Sequence, residues 1–447
     1  MTLGVDRATR GAVALMVGLA ASLSVTGADA RWLGALGAAI VRTGGIPHGV
    51  PFAAAPTGSW PNVPALAEIV FHGLLVIGPR ALLAAQLVAV AFALVTVARD
   101  ARAAGAADGS IAVVVIVAAI GAFPSLAIVR FQLFSLALFP ILLVLLREET
   151  RQETRRIWLV VPLIALWSNL HGAVLAGLGV LVIYLVLQRA RHAPGEAAGV
   201  AVASLLACCL TPALERTPRY FYGVLENDAA KRGVGLWAPV SPSRPFDVVL
   251  VVAAVALVVL ALRARPSRWE VVALLALAAM TAHASRSGIW LLLAAAPLAA
   301  GALGERRGRA RLAWVATVVG LVFVGLGLAK GPHSTGASPR LLDRALAAAG
   351  GRPILAPDAL AEQVALRGGR IEIGNPIDAF SRRDQAAYLD WAEGRPGGDG
   401  DLARARVVLV GRDGAAERRV ARDSRFVRLA RDANAALYVR RGADGAG

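Results

Sequence analysis

At 447 residues, with 57% hydrophobic and 17% charged residues and a mean hydropathy of +0.61, the chain is too apolar for a soluble protein of its size. The formal net charge of +17 comes almost entirely from arginine. Those arginines sit in short segments between apolar runs, which the positive-inside rule accounts for and nucleic-acid binding does not. The two cysteines, Cys208 and Cys209, are adjacent in an apolar run; neighbours on a helix cannot form a structural disulfide, and the sequence shows no metal-ligand cluster.

Apolar runs predicted to cross a bilayer cover 11–28, 82–98, 110–128, 132–147, 157–170, 172–188, 197–213, 247–262, 269–284, 288–303 and 312–330. The first has a charged start and ends on Ala28-Asp29-Ala30, which resembles a signal-peptide cleavage site. An uncleaved first helix agrees better with the loop charges. A further run, 63–79, contains Glu68 and His72 and begins near Pro64.

Loop charge decides how 63–79 is treated. If it does not cross and the N-terminus is cytoplasmic, the cytoplasmic loops hold Arg99/Arg102, Arg147/Arg151/Arg155/Arg156, Arg189/Arg191, Arg263/Arg265/Arg268 and Arg306/Arg307/Arg309/Arg311. The short outer loops then keep only Arg130 and Arg286. If 63–79 crossed, the later basic loops would face outward. The segment is therefore expected to lie along the surface or re-enter, giving about eleven spanning helices. Asp29, Arg31, Glu68, Arg130, Asn169, His171, Arg286 and loop 214–246 then share the external face.

Trp167-Ser168-Asn169-Leu170-His171-Gly172 falls between two of these runs and reads as a tight hairpin tip. Asn and His at a membrane helix end are costly unless they face water, protein or a ligand. Gly172 allows a sharp turn and Trp167 suits the membrane interface. Two readings stand side by side: a binding site, or Asn169 as a helix cap with a solvated His171.

After residue 330 the pattern changes. Gly331-Pro332-His333-Ser334-Thr335-Gly336 reads as a linker. Strands are predicted at 353–356, 370–373, 407–410, 426–430 and 435–439, with helices at 340–349, 358–367, 382–393 and 414–421, an α/β pattern. Asp432-Ala433-Asn434 is expected to close a hairpin between the last two strands. The fold class expected is thus a polytopic α-helical membrane protein: residues 1–330 form a transmembrane domain with external loops 29–81 and 214–246, and 331–447 form an external α/β domain. No nucleotide fingerprint is present, because Gly368-Gly369 and Gly397-Gly398 lack the spacing or the lysine.

The chain resembles bacterial multipass membrane proteins related to the GT-C glycosyltransferases. Asp29-Ala30-Arg31-Trp32, Gly37, Gly45-Ile46-Pro47, Pro51-Phe52, Trp60-Pro61-Asn62 and Leu66-Ala67-Glu68 are similar to the family's opening external loop. Arg130-Phe131-Gln132-Leu133-Phe134-Ser135 resembles an Arg-Pro-Gln-x-Phe-Ser signature, and 167–172 a Trp-Ala-Asn-x-His-Gly signature. Thr211-Pro212, Trp237-Ala238-Pro239, His283-Ala284-Ser285-Arg286 and the closing Ala436-Leu437-Tyr438-Val439-Arg440 follow in family order. The chain departs from the pattern at Leu33, where a histidine is usual, at Val63-Pro64-Ala65, which replaces His-Glu-Trp, and at Phe131, which replaces proline.

The resemblance implies sugar transfer from a polyprenyl-phosphate carrier to an acceptor outside the cytoplasmic membrane of a bacterium, with no cofactor besides that lipid-linked donor. The partners are then the lipid bilayer and the polyprenyl-phosphate sugar, with no nucleic acid. Such transfer needs a carboxylate to take the acceptor proton. Asp29 is the base candidate, like the first-loop aspartate of GT-C enzymes, and Glu68 is the second carboxylate. Arg130 and Arg286 suit the phosphate leaving group, since guanidinium binds phosphate bidentately. Asn169, His171 and His283 are placed to bind sugar or phosphate oxygens. Asp29, Glu68, Asn169 and His171 are expected to line one external cavity, roofed by loop 214–246 and the C-terminal domain, and Arg130 and Arg286 to lie near each other at the outer face. The departures at Leu33, Val63-Pro64-Ala65 and Phe131 point to an alternative, a catalytically inactive scaffold of envelope biosynthesis. A lipid-linked sugar transporter is a third class, disfavoured because no internal repeat is evident and the polar residues cluster at one face.

Overall fold

The computed structural model describes residues 6–304 and 310–442. Arg306, Arg307 and Arg309, which enter the charge argument, lie outside the described residues. Two compact units are each assembled from interleaved segments: Met1–Val25, Ile77–Thr211 and Gly235–His333 form one, and Thr26–Val76, Pro212–Val234 and Ser334–Gly447 form the other. The sequence boundary at 330/331 falls close to the chain's last passage between units. The polar loops 26–76 and 212–234, however, group with the C-terminal segment rather than with the apolar helices.

Each of the eleven apolar runs carries a helix in the first unit. Pro79–Ala103, Val174–Arg191, Pro245–Arg263 and Ala310–Lys330 are long and apolar enough to cross a membrane. Asp108–Gly121 and Pro194–Cys208 are shorter apolar helices, so a count of eleven crossings rests on apolarity and not on helix length. Local chemistry sets the ends. Pro79, Pro194 and Pro245 each open a helix, where a missing N–H costs nothing. Ser267 and Glu270 form a reciprocal cap at the start of Arg268–His283. The run 110–128 breaks after Gly121, and a short helix restarts at Phe123–Ala127 around Pro124.

Helices Arg7–Ser22 and Ala310–Lys330 pack through small residues. A Cβ on Gly18 would stand 2.4 Å from the Gly320 carbonyl oxygen, and one on Gly11 would stand 2.6 Å from that of Ala313. Only small side chains let two backbones approach this closely.

Two arginines expected as loop charges are instead buried and neutralised. Arg147, on helix Leu133–Arg151, pairs with Asp100 and with Glu270 at 2.9 Å, and donates to the Ala294 carbonyl at 2.7 Å. Arg189 pairs with Glu196, and lies 3.3 Å from Glu153 and 3.6 Å from Glu149. Burying a guanidinium is tolerated only with such partners. The two groups therefore weigh less in the positive-inside count than their letters suggest.

In the second unit, loop 29–81 opens with a helix, Ala28–Thr43, that the sequence reading left as loop. It ends at Gly44, whose φ of 69° needs glycine. It packs against helix Ala65–Ile77 through Gly37, where a Cβ would stand 2.0 Å from the Glu68 carbonyl oxygen. With 13 residues, Ala65–Ile77 is about 20 Å long, short of a bilayer core of ~30 Å. Loop 214–246 also carries helices, Thr217–Glu226 and Asp228–Arg232.

The C-terminal segment contains a four-stranded sheet of β1 (Ile354–Leu355), β2 (Val407–Gly411), β3 (Phe426–Arg431) and β4 (Ala435–Arg440), in the order β1-β2-β4-β3. β1 and β2 are parallel, with Ile354 opposite Val407. β4 is antiparallel to both neighbours, with Val407 opposite Val439 and Phe426 opposite Arg440. The expected closing hairpin is present, and Asp432 Oδ1 accepts from the backbone N–H groups of Asn434 and Ala435, each at 2.8 Å. Predicted strand 370–373 is no full strand. Ile371 instead makes single bridges to Ala53 and to Ile354. The four predicted helices appear as Pro339–Ala349, Asp358–Leu366, Arg382–Ala392 and Ala415–Arg422.

Candidate functional site

In the first unit, two separate motif stretches meet. Helix Val160–Ser168 ends at Trp167 and Ser168, and helix Val174–Leu187 begins after Gly172. Trp167 is fully buried, which corrects its expected place at the membrane interface. Its ring packs against Phe139, 6.3 Å between centroids, and Phe139 in turn packs against Trp290 at 5.3 Å. Gly177 makes room for it, since a Cβ there would stand 2.5 Å from the indole. Gly172 is not among the positive-φ glycines, so the turn does not depend on glycine's extra freedom.

The indole N–H of Trp167 donates to Ser135 Oγ at 2.6 Å, and Ser135 Oγ lies 2.6 Å from His171 Nδ1. Indole nitrogen only donates, so Ser135 Oγ accepts from Trp167; with Nδ1 acting as an acceptor, the Ser135 hydroxyl donates to it. The backbone N–H of Ala173 also points at Nδ1, at 3.4 Å. His171 is thereby held as the tautomer with a proton on Nε2, free to donate. Phe131 meets the imidazole edge to face, 4.4 Å between centroids.

Burial, followed by the charges of Arg286 and Arg130, holds His171 well below its ordinary pKa, so it stays neutral. Arg130 is 7% exposed. Arg286 lies over the Trp237 ring, 3.7 Å from its centroid, in a segment where Ser285 N–H donates to the Ala238 carbonyl at 3.1 Å. The surroundings of His171 therefore combine one neutral N–H donor with two guanidinium charges, an arrangement suited to an anion. Asn169 is not part of it: its amide donates to the carbonyls of Ala165 at 2.8 Å and Leu210 at 2.7 Å, closing the helix end and tying it to the stretch after helix Pro194–Cys208. His283 is exposed at the last turn of its helix.

In the second unit, Asp29 occupies the first turn of Ala28–Thr43, where the helix N-terminus favours an anion. It does not end the first helix, which stops at Ser22. Glu68 is fully buried, so it is no polar-face residue of a surface helix. Its Oε2 accepts from Asn62 Nδ2 at 2.8 Å, and Oε1 has no hydrogen-bond partner among the described residues. Burial pushes its pKa up to about 8, against the smaller opposing effect of Asn62, so Glu68 holds a proton at neutral pH.

A third carboxylate, Asp378, joins this set from the C-terminal segment. The indole N–H of Trp60 donates to Asp378 Oδ2 at 2.7 Å, and Trp60 lies 6.1 Å from the ring of Tyr220. Burial raises Asp378 to about 6, with Trp60 opposing. Tyr220 is held well above its ordinary value by burial and then by Asp378, Glu68 and Asp29, so its phenol remains a donor facing three carboxyl groups. Trp60 stood out in the sequence as a motif letter without a role, and Ser135 likewise. Nothing around Asn375-Pro376-Ile377-Asp378 marked Asp378, and Tyr220 lay in a stretch read as loop.

The chain is thus a mostly helical protein with, among the described residues, four helices long and apolar enough to cross a membrane and a small α/β segment, carrying an anion-suited set in one unit and a carboxyl set in the other. Among solved structures, a cryo-EM structure of a mutant arabinofuranosyltransferase AftD from Mycobacteria aligns with 97% of this chain at 15% identity and a TM-score of 0.49. The chain covers 41% of that protein's length. No family model and no curated protein matches the chain.

Proposed function

We propose that the protein is a GT-C-type membrane glycosyltransferase that moves a sugar from a polyprenyl-phosphate donor to an envelope acceptor at the external face of a bacterial cytoplasmic membrane. The N-terminus is cytoplasmic in this reading and the C-terminal domain external. The observation that carries it is the junction of stretches 130–135 and 167–172 through Ser135 and His171. It gathers a neutral imidazole donor under the influence of Arg130 and Arg286.

In the reaction, an acceptor hydroxyl attacks the anomeric carbon while the bond to the lipid phosphate breaks. The leaving phosphate gains charge, and Arg130, Arg286 and the Nε2–H of His171 supply the donors that stabilise it. The acceptor proton needs a base, the role that the resemblance gives to Asp29. Glu68, protonated up to about pH 8, cannot take that proton at neutral pH and serves as a hydrogen-bond donor instead.

The test is transfer from a labelled polyprenyl-phosphate sugar to membrane acceptors by the protein in lipid. Asp29→Asn is expected to lower transfer by about 10²–10⁴-fold, the span for losing a general base, without changing thermal stability. Arg286→Lys should also lower it, since an ammonium does not reproduce bidentate binding. Transfer unchanged in Asp29→Asn would rule out Asp29 as the base, whereas no transfer by the wild-type protein would favour the scaffold reading. That reading draws support from Leu33 and Val63, which are both buried in the core and offer no polar group where the family pattern has one.

A further inference from the structure

Helix Thr217–Glu226, in the second unit, has two unlike faces. Thr217, Tyr220 and Phe221 are buried in that unit, where Tyr220 packs against Trp60 and Phe221. On the other side Pro218, Tyr222 and Leu225 follow at the i, i+4, i+7 spacing that lines side chains up along one face. All three are exposed; Tyr222 is 65% and Leu225 52% accessible. Arg219 borders the line and is exposed as well. Glu226, on the same flank, lies 3.3 Å from Lys231 and is neutralised by it.

A contiguous line of exposed apolar side chains marks a contact with protein or with membrane, and the setting favours membrane. The chain reaches this helix from Leu210, 62% exposed, just beyond the apolar helix Pro194–Cys208. It leaves toward Phe246, 60% exposed, in the first turn of Pro245–Arg263, which is long and apolar enough to cross a bilayer. The helix is thus strung between two segments that already expose apolar side chains. Its composition agrees: tyrosine is enriched at the membrane–water interface, and arginine buries its stem in the apolar boundary while its guanidinium stays at the phosphates. With 10 residues the helix is about 15 Å long. It is too short to cross a hydrocarbon core of ~30 Å, but it can lie in the plane of the surface.

We propose that helix Thr217–Glu226 is an interfacial anchor that lays Pro218, Tyr222 and Leu225 into the headgroup boundary of a phospholipid bilayer, with Arg219 on the lipid phosphates. Its buried face carries Tyr220, so the lipid contact also sets the depth of the carboxyl groups around that phenol. The anchoring does not depend on sugar transfer at Asp29 or His171.

The experiment places a nitroxide spin label at single cysteines of the full-length protein, in a Cys208→Ala/Cys209→Ala background, reconstituted in nanodiscs of phosphatidylcholine and phosphatidylglycerol. Tyr222→Cys and Leu225→Cys are the test sites, each standing in for the other should one not fold. Val252→Cys on Pro245–Arg263 and Val427→Cys on the edge strand β3, both exposed, are the lipid and water references. Collision of the label with oxygen, which concentrates in lipid, is compared with collision with a nickel chelate, which stays in water. The oxygen-to-nickel ratio at the two test sites is expected to lie severalfold above that at Val427→Cys and below that at Val252→Cys, as the headgroup boundary requires. A ratio equal to that at Val427→Cys would mean that the helix faces water. Low access to both reagents would mean that protein, such as a second copy of the chain, covers it. Either result would overturn the proposal.

Discussion

Burial, not residue type, decides what Glu68 does. In the unfolded chain it ionises near its ordinary 4.5, and in the folded chain near about 8. Between those values the folded state holds a proton that the unfolded state has lost. The contribution is therefore fully present below pH 4.5 and disappears as pH rises through 8, by about 1.4 kcal/mol per pH unit. Glu68→Gln mimics the protonated form at every pH. Thermal unfolding at pH 5, 6.5 and 8 should show wild type losing stability more steeply than the variant, with the variant the more stable at pH 8. Parallel losses in the two proteins would refute burial as the cause. The same contrast runs through the other candidates. Asp29, Arg130, His171 and Arg286 were legible as costly polar letters at apolar boundaries. Asn169 looked equally costly, yet it is satisfied by two backbone carbonyls. Asp378 was invisible because its partners, Trp60 and Tyr220, lie more than a hundred residues away in sequence, and no local pattern records such a pairing.

Among the helices, the buried cluster at Arg147 joins four elements. Asp100 comes from Pro79–Ala103, Glu270 from Arg268–His283, and the Ala294 carbonyl from helix Gly288–Ala302. Removing one partner strands a buried charge, which costs about 3–5 kcal/mol. Asp100→Asn should therefore lower the unfolding temperature markedly, whereas replacing the exposed Arg263 should not. A silent Asp100→Asn would mean that Glu270 alone satisfies Arg147. Apolar runs located the helices of the first unit because a run of apolar side chains is a local property. Helix Ala28–Thr43 escaped notice, although its sequence is helix-compatible, because the stretch lies between apolar runs and was read as part of an external loop. Gly37 is there for a close approach to Ala65–Ile77, a requirement that exists only once the partner helix is in place.

For the whole molecule, the orientation proposed from loop arginines needs its own test, because Arg147 and Arg189 turned out to be paired and buried. A reporter active only in the cytoplasm, fused after Gly447, is expected to stay silent, while one fused within 99–107 should be active. A cytoplasmic signal from the C-terminal fusion would reverse the topology and remove the external site. What the sequence by itself determined is whatever depends on composition and short-range periodicity: an apolar helical chain, the positions of the helices in its apolar runs, the change to α/β after residue 330, and the hairpin that closes it. What only the tertiary structure decided is which distant groups share an environment. Loops 26–76 and 212–234 join the C-terminal segment in one unit, Ser135 sets the tautomer of His171, and burial makes Glu68 an acid rather than a base. Hydrophobic pattern is written along the chain, whereas desolvation and charge pairing depend on neighbours that folding supplies.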